Sequence, residues 1–113
     1  MGEVVATGLV ASGKGCCGVL RRATEVADVF ALMKEPDLSS TILLTESATA
    51  TSLVPLLSRV RGLICTSGGI TSHLAIVARE FGLPCVMAAV FADPASLEGI
   101  EVVLGEDGTV ERA

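Results

Sequence analysis

The sequence has no tryptophan and no tyrosine, and only three phenylalanines. Proteins that hold single-stranded nucleic acid stack bases on aromatic faces, and grip the phosphates with a surplus of lysine and arginine. Here eight basic residues stand against thirteen acidic ones, for a formal net charge of −5. Both deficits argue against a nucleic-acid partner. Long apolar runs are missing too: none approaches the ~20 residues of a membrane helix. The apolar stretch from Val4 to Ala11 follows Glu3 and lacks the basic start of a signal peptide. Ala6 stands where a myristoylation signal after Gly2 needs serine or threonine. The expectation is a soluble, cytoplasmic protein without a membrane partner.

Metal ligands are equally sparse. Cys16, Cys17, Cys65 and Cys85 form no Cys-x-x-Cys pair, and one histidine accompanies them. That is a poor donor set for zinc, so no metal site is expected. Cys65 and Cys85 read as small core residues in strands. The pattern assigns no role to Cys16 and Cys17.

What is abundant is apolar surface. Half of the 113 residues are hydrophobic and 19% are charged. A chain of this size hides roughly two-thirds of its unfolded surface, enough for one core and one domain over residues 1–113. Val4–Val10 reads as a strand, and a shorter one lies around Val19 and Leu20. Thr24 caps a predicted helix to Met33, with Val26, Val29, Phe30 and Met33 on one face. Thr41–Thr45 is a buried-type strand. Ser52 caps a second helix, with Leu53, Leu56, Leu57 and Val60 on one face, Pro55 in its first turn and Gly62 at its end. Leu63–Thr66 is a strand, 72–81 a helix ended by Gly82, and Cys85–Ala89 a strand. Val102–Leu104 and Thr109–Glu111 flank Gly105-Glu106-Asp107-Gly108, a hairpin signal. The sum is an α/β domain, a mixed sheet system with a few packing helices.

Two glycine motifs are misleading. Gly8 to Gly15 nearly matches a phosphate-binding loop, but Gly15 replaces the hydroxyl residue that holds magnesium. Gly13-Lys14-Gly15-Cys16-Cys17-Gly18 matches the dinucleotide pattern. Both motifs need a helix next, and a strand is predicted instead. The glycines read as turn and bulge residues between two strands.

His73 has a different context. It follows a strand and Gly68-Gly69, at the predicted first turn of a helix. Backbone N–H groups there lack internal partners and the helix dipole is positive, so an anion is favoured. Thr71 and Ser72 add hydroxyl donors. Near neutral pH an imidazole is largely unprotonated and nucleophilic. From the residues alone this is an anion site with a histidine.

The run Gly68-Gly69-Ile70-Thr71-Ser72-His73-Leu74-Ala75-Ile76-Val77-Ala78-Arg79-Glu80-Phe81-Gly82-Leu83-Pro84-Cys85-Val86 resembles the signature of the mobile phosphohistidine domain of phosphoenolpyruvate-utilising enzymes. That family includes phosphoenolpyruvate synthase, pyruvate phosphate dikinase and the first enzyme of the sugar phosphotransferase system, with related domains in rifampicin phosphotransferases. The stretches 8–18, 42–46, 62–66 and 102–110 also resemble the family's remaining strands. Residues 46–51 depart from its usual proline-bearing loop, and 24–38 is longer than the usual connection.

The resemblance implies a swivelling β/β/α phosphohistidine domain. His73 would accept a phosphoryl group on Nε2 and carry it between two active sites. Thr71 would help hold the phosphate, and Gly68, Gly69 and Ser72 would shape the loop. Arg79, six residues on, lies ~9 Å along the helix and about 240° around it from His73, and is left outside the site. The chain itself would bind no cofactor. Magnesium and ATP or phosphoenolpyruvate would sit on partner domains, a nucleotide-binding one and one of the phosphoenolpyruvate or pyruvate type. Two alternatives stand beside this carrier: a non-catalytic binding or regulatory module of the same fold, and a small nucleotide-binding protein. The final acceptor, the direction of transfer and the oligomeric state are not legible in the sequence.

Overall fold

Strands buried on both faces show nearly continuous apolar runs rather than alternation, and the stretches 41–45, 62–65 and 85–87 have that composition. The computed structural model describes residues 4–13, 15–22, 26–45, 54–66, 73–91 and 99–112, and at 11, 12, 26, 29, 54, 55, 73 and 74 the backbone alone. In chain order the elements are β1 (Val4–Ser12), β2 (Cys16–Arg22), α1 (Val26–Met33), β3 (Thr41–Thr45), α2 (Val54–Leu57), β4 (Gly62–Cys65), α3 (His73–Glu80), β5 (Cys85–Phe91), β6 (Glu101–Leu104) and β7 (Thr109–Arg112).

The strands close into a barrel in the order β1-β5-β4-β3-β2-β6-β7. The neighbours β2–β3, β3–β4 and β4–β5 are parallel, while the contacts of β1, β6 and β7 are antiparallel. A mixed sheet with few helices was expected; its closure into one barrel was not legible. Parallel neighbours need crossover connections, which lay helices on the outside.

Two apolar layers follow from the strand period of two. Ile42, Leu44, Ile64 and Val86 point inward to meet Leu20, Val102, Leu104 and Val110 inside the barrel. Their chain neighbours Leu43, Leu63, Cys85 and Met87 point outward against Leu32, Leu56, Leu57, Ala75 and Ala78. The predicted closing hairpin forms as β6 and β7, with Leu104 opposite Val110. In its turn Gly108 adopts φ +92°, where a Cβ would fall on the Gly8 carbonyl. Only glycine lets this turn sit on β1.

Two helix expectations are corrected. The core takes Leu32 of α1, 2% exposed, while Phe30 is 59% and Met33 45% exposed. The segment VADVFALM is apolar almost all round, so periodicity does not fix which face turns inward. The second helix is a single turn, and Gly62 opens β4 rather than ending a helix. The N–H of Arg61 already donates to the Thr41 carbonyl at 2.8 Å, so the backbone has left the helix for the sheet. Arg59 caps α1 from this turn, its guanidinium donating to the carbonyls of Met33 (3.3 Å) and Glu35 (2.6 Å). The capping positions Thr24 and Ser52 and the stretch 46–51 lie outside the described residues.

Candidate functional site

The four neighbouring parallel strands point the same way, so their carboxyl ends, at Arg22, Thr45, Cys65 and Phe91, share one end of the barrel. In parallel α/β sheets this end is where loops gather and ligands bind. The chain leaving β4 at this end leads, through Thr66, to His73.

His73 is the first residue of α3. The leading N–H groups of a helix have no partner within it, and its first turn carries partial positive charge. Ala75 and Ala78, both fully buried, bring α3 close to the sheet, and the helix packs on β1 and β5. Ile76 is 43% exposed and Glu80 is exposed. Gly68, Gly69, Thr71 and Ser72 lie outside the described residues, as does Lys14 of the near-match to a phosphate loop.

Arg79 lies in the last turn of α3, and its charge acts on Cys85, where it opposes the upward push of burial. The guanidinium therefore serves the opposite end of the helix from His73. Burial first, and then the neighbouring Cys65, push the Cys85 thiol up to about 12. Cys65 and Cys85 are 0% and 1% exposed, so the core reading of these two residues holds. Burial also raises the Cys16 thiol, against the pull of Arg61; its Sγ lies 3.5 Å from the Arg61 carbonyl. Among the described residues no three histidine, cysteine, aspartate or glutamate side chains converge to hold a metal ion.

The two glycine motifs resolve as the alternative to a nucleotide loop. Residues 4–12 and 16–22 are both strands, so Gly15 is followed directly by a strand and not by a helix. Gly13 and Gly15 hold φ +80° and +97° in the turn between them. The strands are not partners: β1 pairs with β5 and β7, and β2 with β3 and β6. A cavity of about 470 Å³, lined by Ser39, Arg59, Arg61, Phe81 and Pro84 among others, lies at the amino ends of the parallel strands, away from His73. One backbone feature had no sign in the sequence. Ala88, in β5, has a left-handed backbone with φ +53°, and alanine in a strand announces nothing of the kind.

The described residues thus form a small mixed barrel with a histidine at the start of a helix, on the carboxyl-end face. The profile of the "PEP-utilising enzyme, mobile domain" matches residues 38–107, from just before β3 into the β6–β7 turn, and the chain belongs to that family. Phosphoenolpyruvate synthase of Pyrococcus furiosus is 36% identical over 110 residues, covering 95% of this chain and 12% of that protein. Rifampicin phosphotransferase of Bacillus subtilis is 35% identical over 86 residues, 75% of this chain and 10% of that protein. The chain thus spans about a tenth of the length of these curated relatives. Among solved structures, Thermococcus kodakaraensis aconitase X in its holo form superposes with a TM-score of 0.68 over 98% of this chain and 99% of that one. At 16% identity this likeness concerns the fold alone. The N-terminal domain of Enzyme 1 - Nitrogen superposes with a TM-score of 0.55 at 27% identity, over 70% of this chain and 33% of that one. No helix among the described residues is long and apolar enough to cross a membrane.

Proposed function

We propose that the chain is a phosphocarrier, a swivelling phosphohistidine domain spanning residues 1–113 that accepts a phosphoryl group on His73 and relays it between sites on partner domains. One observation carries the reading. His73, within the family match of residues 38–107, opens α3 on the face where the parallel strands end. The names of the relatives, a phosphoenolpyruvate synthase and a rifampicin phosphotransferase, suit a carrier whose acceptor differs from enzyme to enzyme.

The chemistry is two displacements at phosphorus. The Nε2 lone pair of His73 attacks the phosphorus of phosphoenolpyruvate or of an ATP phosphate. The P–O bond breaks, and enolpyruvate or the nucleotide leaving group departs with the electron pair. An acceptor oxygen then attacks, the N–P bond breaks and the imidazole is regenerated. Unpaired N–H groups at the start of α3 stabilise the bound phosphoryl oxygens. Thr71 donates a hydrogen bond to them, and Gly68, Gly69 and Ser72 let the backbone come close. Transfer of this kind also needs magnesium or clustered lysine and arginine around the donor phosphates. The chain holds eight basic residues, outnumbered by acids, so those groups belong to nucleotide-binding and phosphoenolpyruvate- or pyruvate-type partners, in the cytoplasm.

Labelled phosphoenolpyruvate and labelled ATP, supplied with cell extract as the source of partners, test this. The expected product is one acid-labile, alkali-stable label, absent from a folded His73→Ala protein. Label that persists in His73→Ala would overturn the assignment. Absence of label with every donor would favour a non-catalytic module of the same fold.

A further inference from the structure

At the end of the barrel opposite His73, two arginines share a cleft with a half-exposed aromatic ring. The cleft, of about 470 Å³, lies between the turn that joins α2 to β4 and the turn that joins α3 to β5. Its size is that of a small-molecule site. Its floor is apolar: Leu57, Val60 and Leu83 are all buried. Above the floor stand Arg59, Arg61 and Phe81, the ring 50% exposed. In a chain with thirteen acidic and eight basic residues, the described lining of this cleft carries two guanidinium groups and no carboxylate.

Backbone hydrogen bonds tie down both walls. The N–H groups of Arg59 and Val60 donate to the Leu56 carbonyl at 2.9 and 3.1 Å, and that of Arg61 to the Thr41 carbonyl at 2.8 Å. On the other wall the Leu83 N–H donates to the Ala78 carbonyl at 2.9 Å, and Gly82 turns the chain with φ +66°. The Leu63 N–H donates to the Pro84 carbonyl at 2.9 Å and joins the two walls. The cleft is thus formed before any ligand arrives, which lowers the cost of binding.

The two arginines are employed differently. Arg59 gives N–H donors to the carbonyls of Met33 and Glu35, which hold its guanidinium in place. Arg61 makes no side-chain hydrogen bond and no ion pair among the described residues. The acid on which Arg59 acts is Asp37, and that carboxylate already accepts the Ser39 N–H at 2.9 Å. A guanidinium is a planar fork that fits a carboxylate or a phosphate through two parallel N–H···O bonds. Phe81 sets a flat apolar surface on the same cleft.

We infer that this cleft binds a small organic anion, a carboxylate or a phosphate ester with a planar apolar body. Arg61 and Arg59 take the anionic group, and Phe81 packs on the body. The site stands apart from the phosphoryl chemistry at His73 and does not depend on it.

The test titrates benzoate, phenylphosphonate and inorganic phosphate into the full chain, with benzyl alcohol as the uncharged control, and follows the NMR signals of the arginine side chains and the phenylalanine rings. Both aromatic anions should give saturable shifts at Arg61 and Phe81. Inorganic phosphate should bind more weakly, and benzyl alcohol should shift neither residue. The tighter of the two aromatic anions tells carboxylate from phosphate ester. Arg61→Gln should weaken both by about tenfold or more, while Phe81→Leu should weaken the aromatic anions and leave inorganic phosphate unchanged. His73 is the sole histidine, so an anion held at the start of α3 would show on its single ring instead. Shifts confined to that ring, no saturation by about 10 mM, or unchanged affinity in a folded Arg61→Gln protein overturn the inference. If Arg61→Gln does not fold, Arg61→Lys, which keeps the charge and loses the fork, takes its place with the same expected loss and the same overturning result.

Discussion

At the scale of single residues, the structure places two of the four cysteines in the core. The Cys85 thiol is pushed up to about 12 from an ordinary 9.0, by burial first and then by Cys65, with Arg79 opposing. Such a group stays protonated near neutral pH and is no competitor to an imidazole. It also ties stability to alkali. Below about 9 the thiol is protonated in both folded and unfolded chains; between about 9 and about 12 the unfolded chain releases the proton while the fold retains it. Proton binding by the folded state alone makes stability fall as pH rises through that window. Denaturation midpoints measured across it should therefore drop more steeply for the parent than for Cys85→Ala. Parallel slopes would show that this thiol contributes nothing. The histidine's place at the start of a helix was legible, because it follows a strand and two glycines and opens an apolar run ended by Gly82. Ala88 was not legible, because its φ is set where β5 shifts register against Gly8 of the facing strand, and leaves no mark on the residue's own identity.

At the scale of elements, legibility tracked the strength of the pattern. β3 matched residue for residue as Thr41–Thr45, because a short apolar run bounded by polar residues has one solution. The hairpin β6–β7 and the helix ended by Gly82 were legible through their turn and cap residues. α1 was located but misoriented, since a helix apolar on nearly every side lets the barrel choose its face. This gives a direct comparison. Leu32→Ala removes a side chain that is 2% exposed and should cost about 2–5 kcal/mol. Phe30→Ala removes the larger side chain, yet at 59% exposure it should cost within about 0.5 kcal/mol. Urea titration of both variants checks it; comparable losses would mean that Phe30 packs as its periodicity predicts. α2 failed for another reason. Its apolar spacing belongs to a chain that must reach β3 at Arg61, and hydrogen bonding to the sheet outcompetes two further helical turns.

At the scale of the whole molecule, barrel closure leaves no sheet edge open among the described residues, and the end carrying His73 is where the parallel strands finish. Closure was invisible in the sequence because it depends on β1 meeting both β5 and β7, contacts between segments far apart in the chain. A body of this kind suits a carrier: small, and about a tenth of the length of the enzymes it resembles. A carrier lacks the groups that neutralise a donor's phosphates, so it must be inert by itself and charged only by a partner. The most direct measurement incubates the purified chain with labelled phosphoenolpyruvate or magnesium-ATP, first alone and then with a nucleotide-binding or phosphoenolpyruvate-binding partner, and maps any label by peptide. The account predicts no label alone and a single acid-labile label on the peptide containing His73 once the partner is added. Robust labelling of the chain alone, or label on any other residue, would contradict it.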